Sequence, residues 1–371
     1  MTMDIYLLND DFEIIKIIDD FSSLIWRRKY REVGDFELHC PHALFAALSG
    51  ARYVYRPDRV DSDGQAREIG IIENIGVEAP TCFAKGRFLE RLLYDRVICP
   101  PSPTDWAQAL PPLSVRYLSD EENNIIWTHE GIARDLIGHL TELTLAAGND
   151  PPISDGSPIS TTVTGGNLME YLYELFGLAD ASFSITCDIS TGTLYFRAWK
   201  GADQHSTAIF SPEWDNLISF SYERSDKDFR NYAIVAGQGQ GSQRVVVTID
   251  QTTAGEERRE LYVDARDLQQ DDSETLSQYQ SRLRQRGKEK LKKSAIVEKC
   301  EAVVDTESSL RYHVDFDLGD ICTVKEDAHG ISCVKRITEI EEVYESGSFT
   351  LSLVFGEGYL LLPDYLKREL K

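Results

Sequence analysis

A mainly β fold with an α+β stretch set into it is the class this sequence predicts, and three observations predict it. Short runs rich in β-branched and aromatic residues, closed off by Gly, Pro, Asn or Asp, recur through residues 1–98 and again through residues 210–358. Between them the apolar spacing turns helical, over residues 128–145 and 166–176. A proline tract at Pro100, Pro101 and Pro103 stands where the first pattern gives way to the second. The expected division is residues 1–98 as a small β-barrel-like domain and 99–209 as an α+β insertion. Residues 210–358 then form a second β-barrel-like domain carrying a long helix over 273–293, and 359–371 form a tail.

Taken in order, residues 4–8 and 13–18 read as strands around a polar turn at Asn9, Asp10 and Asp11. Leu24, Trp26 and Arg28 fall on one face of the next strand, Ile25 and Arg27 on the other. Gly34 and Asp35 turn the chain into an alternating run over 36–39, and Trp26 and Phe36 are expected as core anchors. Pro41 suits the first turn of a short helix over 43–48. Residues 52–56 are a strand stopped by Pro57, 58–65 a polar loop, 68–77 a returning strand and 88–94 a helical turn. Thr128 is the expected cap of a helix over 128–145, striped by Ile132, Leu136, Ile137, Leu140 and Leu143. After a loop over 148–160, a second helix buries Leu168, Leu172, Leu175 and Phe176, and strands over 181–187 and 193–199 meet around Gly192.

Strand-like runs over 231–236 and 244–249 enclose Gly237, Gly239 and Gly241. A dinucleotide fingerprint needs a third glycine where Ser242 stands, then a helix whose amides hold the pyrophosphate. Here a β-branched run follows instead, so the loop is read as a hairpin connection that binds no nucleotide. Residues 260–265 are a strand. The long helix opens on Asp271, Asp272 and Glu274 and closes on Lys288, Lys290, Lys292 and Lys293, charges that suit its dipole. Strands over 295–304, 320–325, 331–344 and 348–355 complete the chain.

Composition narrows the function. With 42% hydrophobic and 10% aromatic residues the chain is that of a folded protein. It begins without a basic and apolar leader, and no apolar run approaches the roughly 20 residues of a membrane helix, so no membrane anchor is expected. Thirty-nine basic against 62 acidic side chains give −23, which disfavours attractive binding of nucleic acid. The seven cysteines, at 40, 82, 99, 187, 300, 322 and 333, form no C-x-x-C pair and are expected as buried free thiols in a reducing cytoplasm.

No motif points to catalysis, a cofactor or a metal. His129 and Glu130 lack the second histidine of a zinc-protease helix. Asp315, Asp317 and Asp320 resemble part of a calcium loop but run straight into a strand, as a turn does. Asp264, Asp267, Asp271 and Asp272 read as solvated caps and turns rather than a glycosidase pair. Neither a nucleophile elbow nor a Cys/His pairing is present, so a non-enzyme with no catalytic, cofactor-binding or metal residues is expected.

Several segments in this order resemble one family. They are SLIWRRKYREVGDFEL at 23–38, FSPEWDNL at 210–217, AGQGQGS at 236–242, ELYVDARD at 260–267 and RGKEK at 286–290. LGDICTV at 318–324 and ITEIEEV at 337–343 extend the series. Together they resemble the tail-tip hub proteins of siphophages and prophages, related to the hubs of contractile baseplates. The resemblance implies a virion structural protein, assembled in the host cytoplasm, that closes the distal tail tube as a homotrimer. Two barrel-like bodies per subunit would present six positions to a six-fold tube. It also implies as partners a distal tail protein ring, the tape-measure protein and a central fibre or spike. DNA would pass without specific binding. Many relatives carry a further fibre or peptidoglycan-cleaving region; here the sequence ends close after its last strand, so neither activity is implied. The rival readings are a tail-associated cell-wall hydrolase, which needs a pocket of convergent acids, and a receptor-binding carbohydrate module, which needs an exposed aromatic platform.

Overall fold

The computed structural model describes residues 3–98, 114–117, 119, 126–140, 142–148, 150–153, 156, 158–270, 274–345 and 347–356. The proline tract, Cys99, Asp271, Asp272 and the expected tail over 359–371 lie outside the described residues.

The N-terminal part supplies β1 (Ile5–Leu8), β2 (Ile14–Ile18), β3 (Ser23–Lys29), β4 (Asp35–Pro41), α1 (Phe45–Gly50), β5 (Tyr53–Tyr55), β6 (Gly70–Glu78) and β7 (Thr81–Phe88). In β3 and β4 every second residue is buried, which puts Leu24, Trp26, Phe36, Leu38 and Cys40 inside, as alternation predicts. The expected helical turn is a 3-10 turn over Leu89–Leu93.

The middle part holds β8 (Ser114–Tyr117), α2 (His129–Gly138), β9 (Ala146–Ala147), β10 (Thr161–Thr164), α3 (Leu168–Leu178), β11 (Ser182–Asp188) and β12 (Thr193–Trp199). Thr128 caps α2 by accepting from the Gly131 amide at 3.2 Å. That helix stops at Gly138, short of the expected 145, and Leu140, Leu143 and Leu145 reach the core from the chain beyond it. Asn167 caps α3 through the Glu170 amide at 3.0 Å. Phe176 of α3 packs on Phe183 and Phe196 of the β11–β12 hairpin. One continuous core joins this region to Leu8, Tyr53 and Leu89 of the N-terminal part.

The remainder contains β13 (Ile209–Phe210), β14 (Leu217–Ser225), β15 (Tyr232–Ala236), β16 (Val246–Asp250), β17 (Glu260–Asp264), α4 (Leu276–Lys292), β18 (Val297–Val304), β19 (Ile321–Glu326), β20 (Ile331–Glu345) and β21 (Ser348–Gly356). β15 and β16 pair antiparallel through the glycine loop, so the hairpin expectation holds, and β17 joins β15 in parallel. α4 covers this small sheet with a core of its own, formed by Val235, Ile249, Val263, Tyr279 and Leu283. Thr275 and Gln278 form a capping box at its start, and Glu274, just before the cap, pairs with Arg282 at 2.7 Å.

The long sheet runs β14-β18-β21-β20-β3-β4-β7-β6-β5-β1-β2, with β19 on β20 and β13 on β19. It does not close into the two expected barrels. The reason is β20, whose length lets it pair with β19 through its first half and with β3 and β21 through its second. The edge at which either half could close on itself is taken by the other half. Among the described residues β14 and β2 end the main path of this sheet as open edges, and the two-residue β13 ends the β19 branch. No helix among them is long and apolar enough to cross a membrane.

Candidate functional site: a buried charge cluster and two open edges

Where β3 meets β20, side chains far apart in sequence converge. The inward face of β3 carries Arg28 beside Trp26, and β5 leads into Arg56 and Arg59, all three arginines buried. Glu68 enters just before β6, Tyr312 and Asp317 from the turn before β19, and Glu342 from β20.

Glu342 is fully buried and accepts from Arg56 at 2.8 Å, Tyr312 at 2.9 Å, Tyr344 at 2.9 Å and also from Arg59. Arg28 pairs with both Glu68 and Asp317 and donates to the Tyr312 hydroxyl at 2.8 Å. The Trp26 indole donates to Glu68 at 3.0 Å, and the Arg56 guanidinium lies 5.4 Å from the Trp26 ring.

Burial alone would raise the carboxyls, but the arginines outweigh it. Glu68 is held at about 2 by Arg28, Arg59 and Arg67, and Asp317 and Glu342 are lowered as well. The three carboxylates are ionised and matched by the arginines, so they fix geometry. A cavity of about 500 Å³ opens beside it between Arg56, Arg59, Tyr312 and Tyr344.

A second cavity, of about 310 Å³, lies where the three parts of the chain meet and is lined by Glu90, Tyr173, Arg197 and Trp199 among others. Burial pushes Glu90 up to about 7, against the hydrogen bond it accepts from the Ile185 amide at 2.9 Å. A protonated carboxyl can act as a general acid, but glycosidic cleavage requires a second carboxylate available to water or sugar. Glu68 and Asp317 are taken by Arg28, Asp61 and Asp150 by Arg197, and Glu32 stands 3.7 Å from Lys29.

The residues singled out in the sequence fall as follows. Trp26 and Phe36 are buried with ring centroids 5.9 Å apart. Asp315 pairs with Arg311, while Asp320 accepts the Asp317 and Ala202 amides, so the apparent calcium loop is a braced turn. Asp264 pairs with Arg244 and Arg266, and Asp267 with Arg286. His129 opens α2, with Glu130 accepting the Ile153 amide at 2.6 Å. Among the described residues no group of three His, Cys, Asp or Glu converges as a metal site. Cys40, Cys82, Cys187, Cys300 and Cys322 are buried and Cys333 is half-buried, all as free thiols. The charge cluster itself has one signal in the sequence: Arg28 shares the strand face of Leu24 and Trp26.

The open edges carry apolar side chains. On β2, Ile14, Ile15 and Ile17 are exposed. At the other end Ile218 of β14 is 71% exposed, with Trp214 nearby in the chain at 56%.

The family model described as Siphovirus ReqiPepy6 Gp37-like protein matches residues 3–357. No curated protein matches the chain. The chain resembles the 43 kDa tail protein of prophage MuSo2 from Shewanella oneidensis, with a TM-score of 0.58 and 13% identity, covering 95% of this chain and 98% of that one. A tail protein from Neisseria meningitidis MC58 gives 0.57 and 15%, covering 96% and 97%. The prophage tail protein gp18 from Listeria monocytogenes EGD-e gives 0.56 and 12%, covering 98% and 97%. At these identities the likeness is one of fold.

Proposed function

This chain belongs to the Siphovirus ReqiPepy6 Gp37-like protein family, and from that premise we propose that it is a structural hub of a phage tail tip. The observation that carries the reading is the shared sheet. Strands from the two ends of the chain form one ladder, held by a buried charge cluster and ending in two open apolar edges. Open apolar ends on one chain suit contacts that close into a ring. The shared fold with prophage tail proteins over nearly the full length of both chains supports the same reading.

In this reading three copies assemble about the tail axis. Residues 1–98 and 210–358 of each copy supply two docking bodies, and 99–209 pack outside them. One face meets a distal tail protein ring, the other carries a central fibre or spike, and the lumen holds the tape-measure end before DNA passes. A good share of the 23 excess acids then faces the axis, where they repel the DNA backbone over a Debye length of about 8 Å. The role is non-enzymatic, and the place is the virion tail.

Native mass spectrometry of the purified chain, alone and with its ring partner, tests the proposal. A trimer is expected in one or both samples. A stable dimer, with no trimer in the assembled particle, would overturn it.

A further inference from the structure

Cys300 lies on β18, and Cys333 on the half of β20 that pairs with β19, before β20 meets β21 at Ile337. Their sulfurs nevertheless stand 3.8 Å apart. Cys300 is fully buried in the core that contains Phe355 and Leu353, whereas Cys333 sits half-buried at the margin of that core. Two residues away on each strand, Glu298 and Lys335 form an ion pair, so the thiols and the charges meet in the same register.

The two sulfurs have unlike chemistry. The hydrogen bond shared with Cys300 and the nearby Lys335 ammonium lower the Cys333 thiol, against burial and Glu298. The hydrogen bond shared with Cys333, together with burial, raises the Cys300 thiol. A half-buried thiol of lowered proton affinity, 3.8 Å from a buried thiol, is the arrangement that supports thiol–disulfide exchange.

We propose that Cys333 and Cys300 are a redox-active dithiol, which a low-molecular-weight disulfide converts into an intrachain disulfide between β20 and β18. The Cys333 thiolate attacks one sulfur of the small disulfide, forming a mixed disulfide and releasing one small thiolate. Cys300 then attacks the Cys333 sulfur. The second small thiolate leaves and takes up the Cys300 proton. The protein dithiol is oxidised by two electrons, and the small disulfide is reduced to two thiols. The inference does not rest on the tail reading.

Cys40 and Cys82 provide a built-in comparison. Their sulfurs are 3.5 Å apart in directly paired residues of β4 and β7, but both are fully buried, and burial pushes Cys40 up to about 12. Proximity without a reachable thiolate leaves this pair inert.

The test incubates the full chain, freed of reductant, with oxidised glutathione at about pH 8, where exchange is fast. Iodoacetamide then traps free thiols before non-reducing peptide mapping. A peptide linking Cys300 to Cys333 is expected, while Cys40 and Cys82 are alkylated only after unfolding. Cys300→Ser should stop at a glutathione adduct on Cys333, and Cys333→Ser should leave Cys300 unmodified. Wild-type protein in which Cys333 stays free, or holds the adduct without closing on Cys300, would overturn the proposal, and neither result needs a variant to fold.

Discussion

Arg56 and Glu342 are 286 positions apart in the chain and meet at 2.8 Å in a site closed to solvent. Glu342 also serves Arg59, Tyr312 and Tyr344, so one side chain ties the loop after β5 to the turn before β19. Removing its charge leaves two buried guanidiniums without their shared counterion. Glu342→Gln should therefore cost about 3–5 kcal/mol in urea unfolding. The same change at exposed Glu223 of β14 should stay within about 0.5 kcal/mol. Equal effects at the two positions would remove the cluster's structural role.

The cluster also sets the behaviour in acid. Glu68 titrates at about 2 in the folded chain against an ordinary 4.5, and Asp317 and Glu342 are lowered too. A depressed carboxyl stabilises the fold above its unfolded value and loses that contribution as pH falls through the folded one. The loss should fall between about pH 4.5 and pH 2. Circular dichroism across that range checks it, and Glu68→Gln should flatten the slope.

Glu90 works in the opposite sense. Burial raises it from 4.5 to about 7, so the stability tied to its protonated form is complete below 4.5 and gone once pH rises through 7. Glu90→Gln keeps an oxygen for the Ile185 amide and removes the buried charge. At pH 8 the variant should be more stable by up to about 3 kcal/mol, with little difference at about pH 4. A variant no more stable at pH 8 would show that the cavity solvates this carboxylate.

Much of the fold was legible because alternation and helical spacing are local. Spacing alone puts Leu24, Trp26 and Arg28 on one face, and Thr128 marks a helix start. What was not legible is non-local or weakly apolar. Strand β7 buries Cys82 and Ala84, residues too small to announce a core strand. Strand β14 shows no clean alternation because, as an edge, it fully buries Leu217 alone. Barrel closure was expected since each half has enough strands, and nothing local reveals that β20 pairs across to β3. The charge cluster has the same origin: its partners join strands that only the fold makes adjacent.

Gly287 within the RGKEK run shows how a motif can encode packing. A Cβ there would lie 2.3 Å from Ile249 Cδ1 and 2.6 Å from Val235 Cγ2, because α4 presses its backbone onto the β15–β16 sheet. Alanine gains about 1 kcal/mol of helix propensity, which offsets part of the crowding. Gly287→Ala should be mildly destabilising, by up to about 1 kcal/mol, while Gly287→Val should cost about 1–3 kcal/mol by overpacking. Thermal melts of both variants decide it. An unperturbed valine variant would mean that α4 can lift from the sheet without loss.

The open edges bear most directly on assembly. A solitary sheet normally protects its edge strands with charge, proline or a covering element. β2 exposes three isoleucines with Lys16 as its one charge, and β14 exposes Ile218. Such edges are tolerable if a neighbouring subunit covers them, as the ring reading requires. Ile15→Lys and Ile218→Lys each put a charge where that neighbour would pack. As surface changes they should move the stability of the isolated chain by no more than about 0.5 kcal/mol. In native mass spectrometry each should shift the population from trimer towards monomer, and the pair should do so more strongly than either alone. If both variants retain the trimer, the edges lie outside the subunit contact, and their apolar side chains must face a different component of the tail.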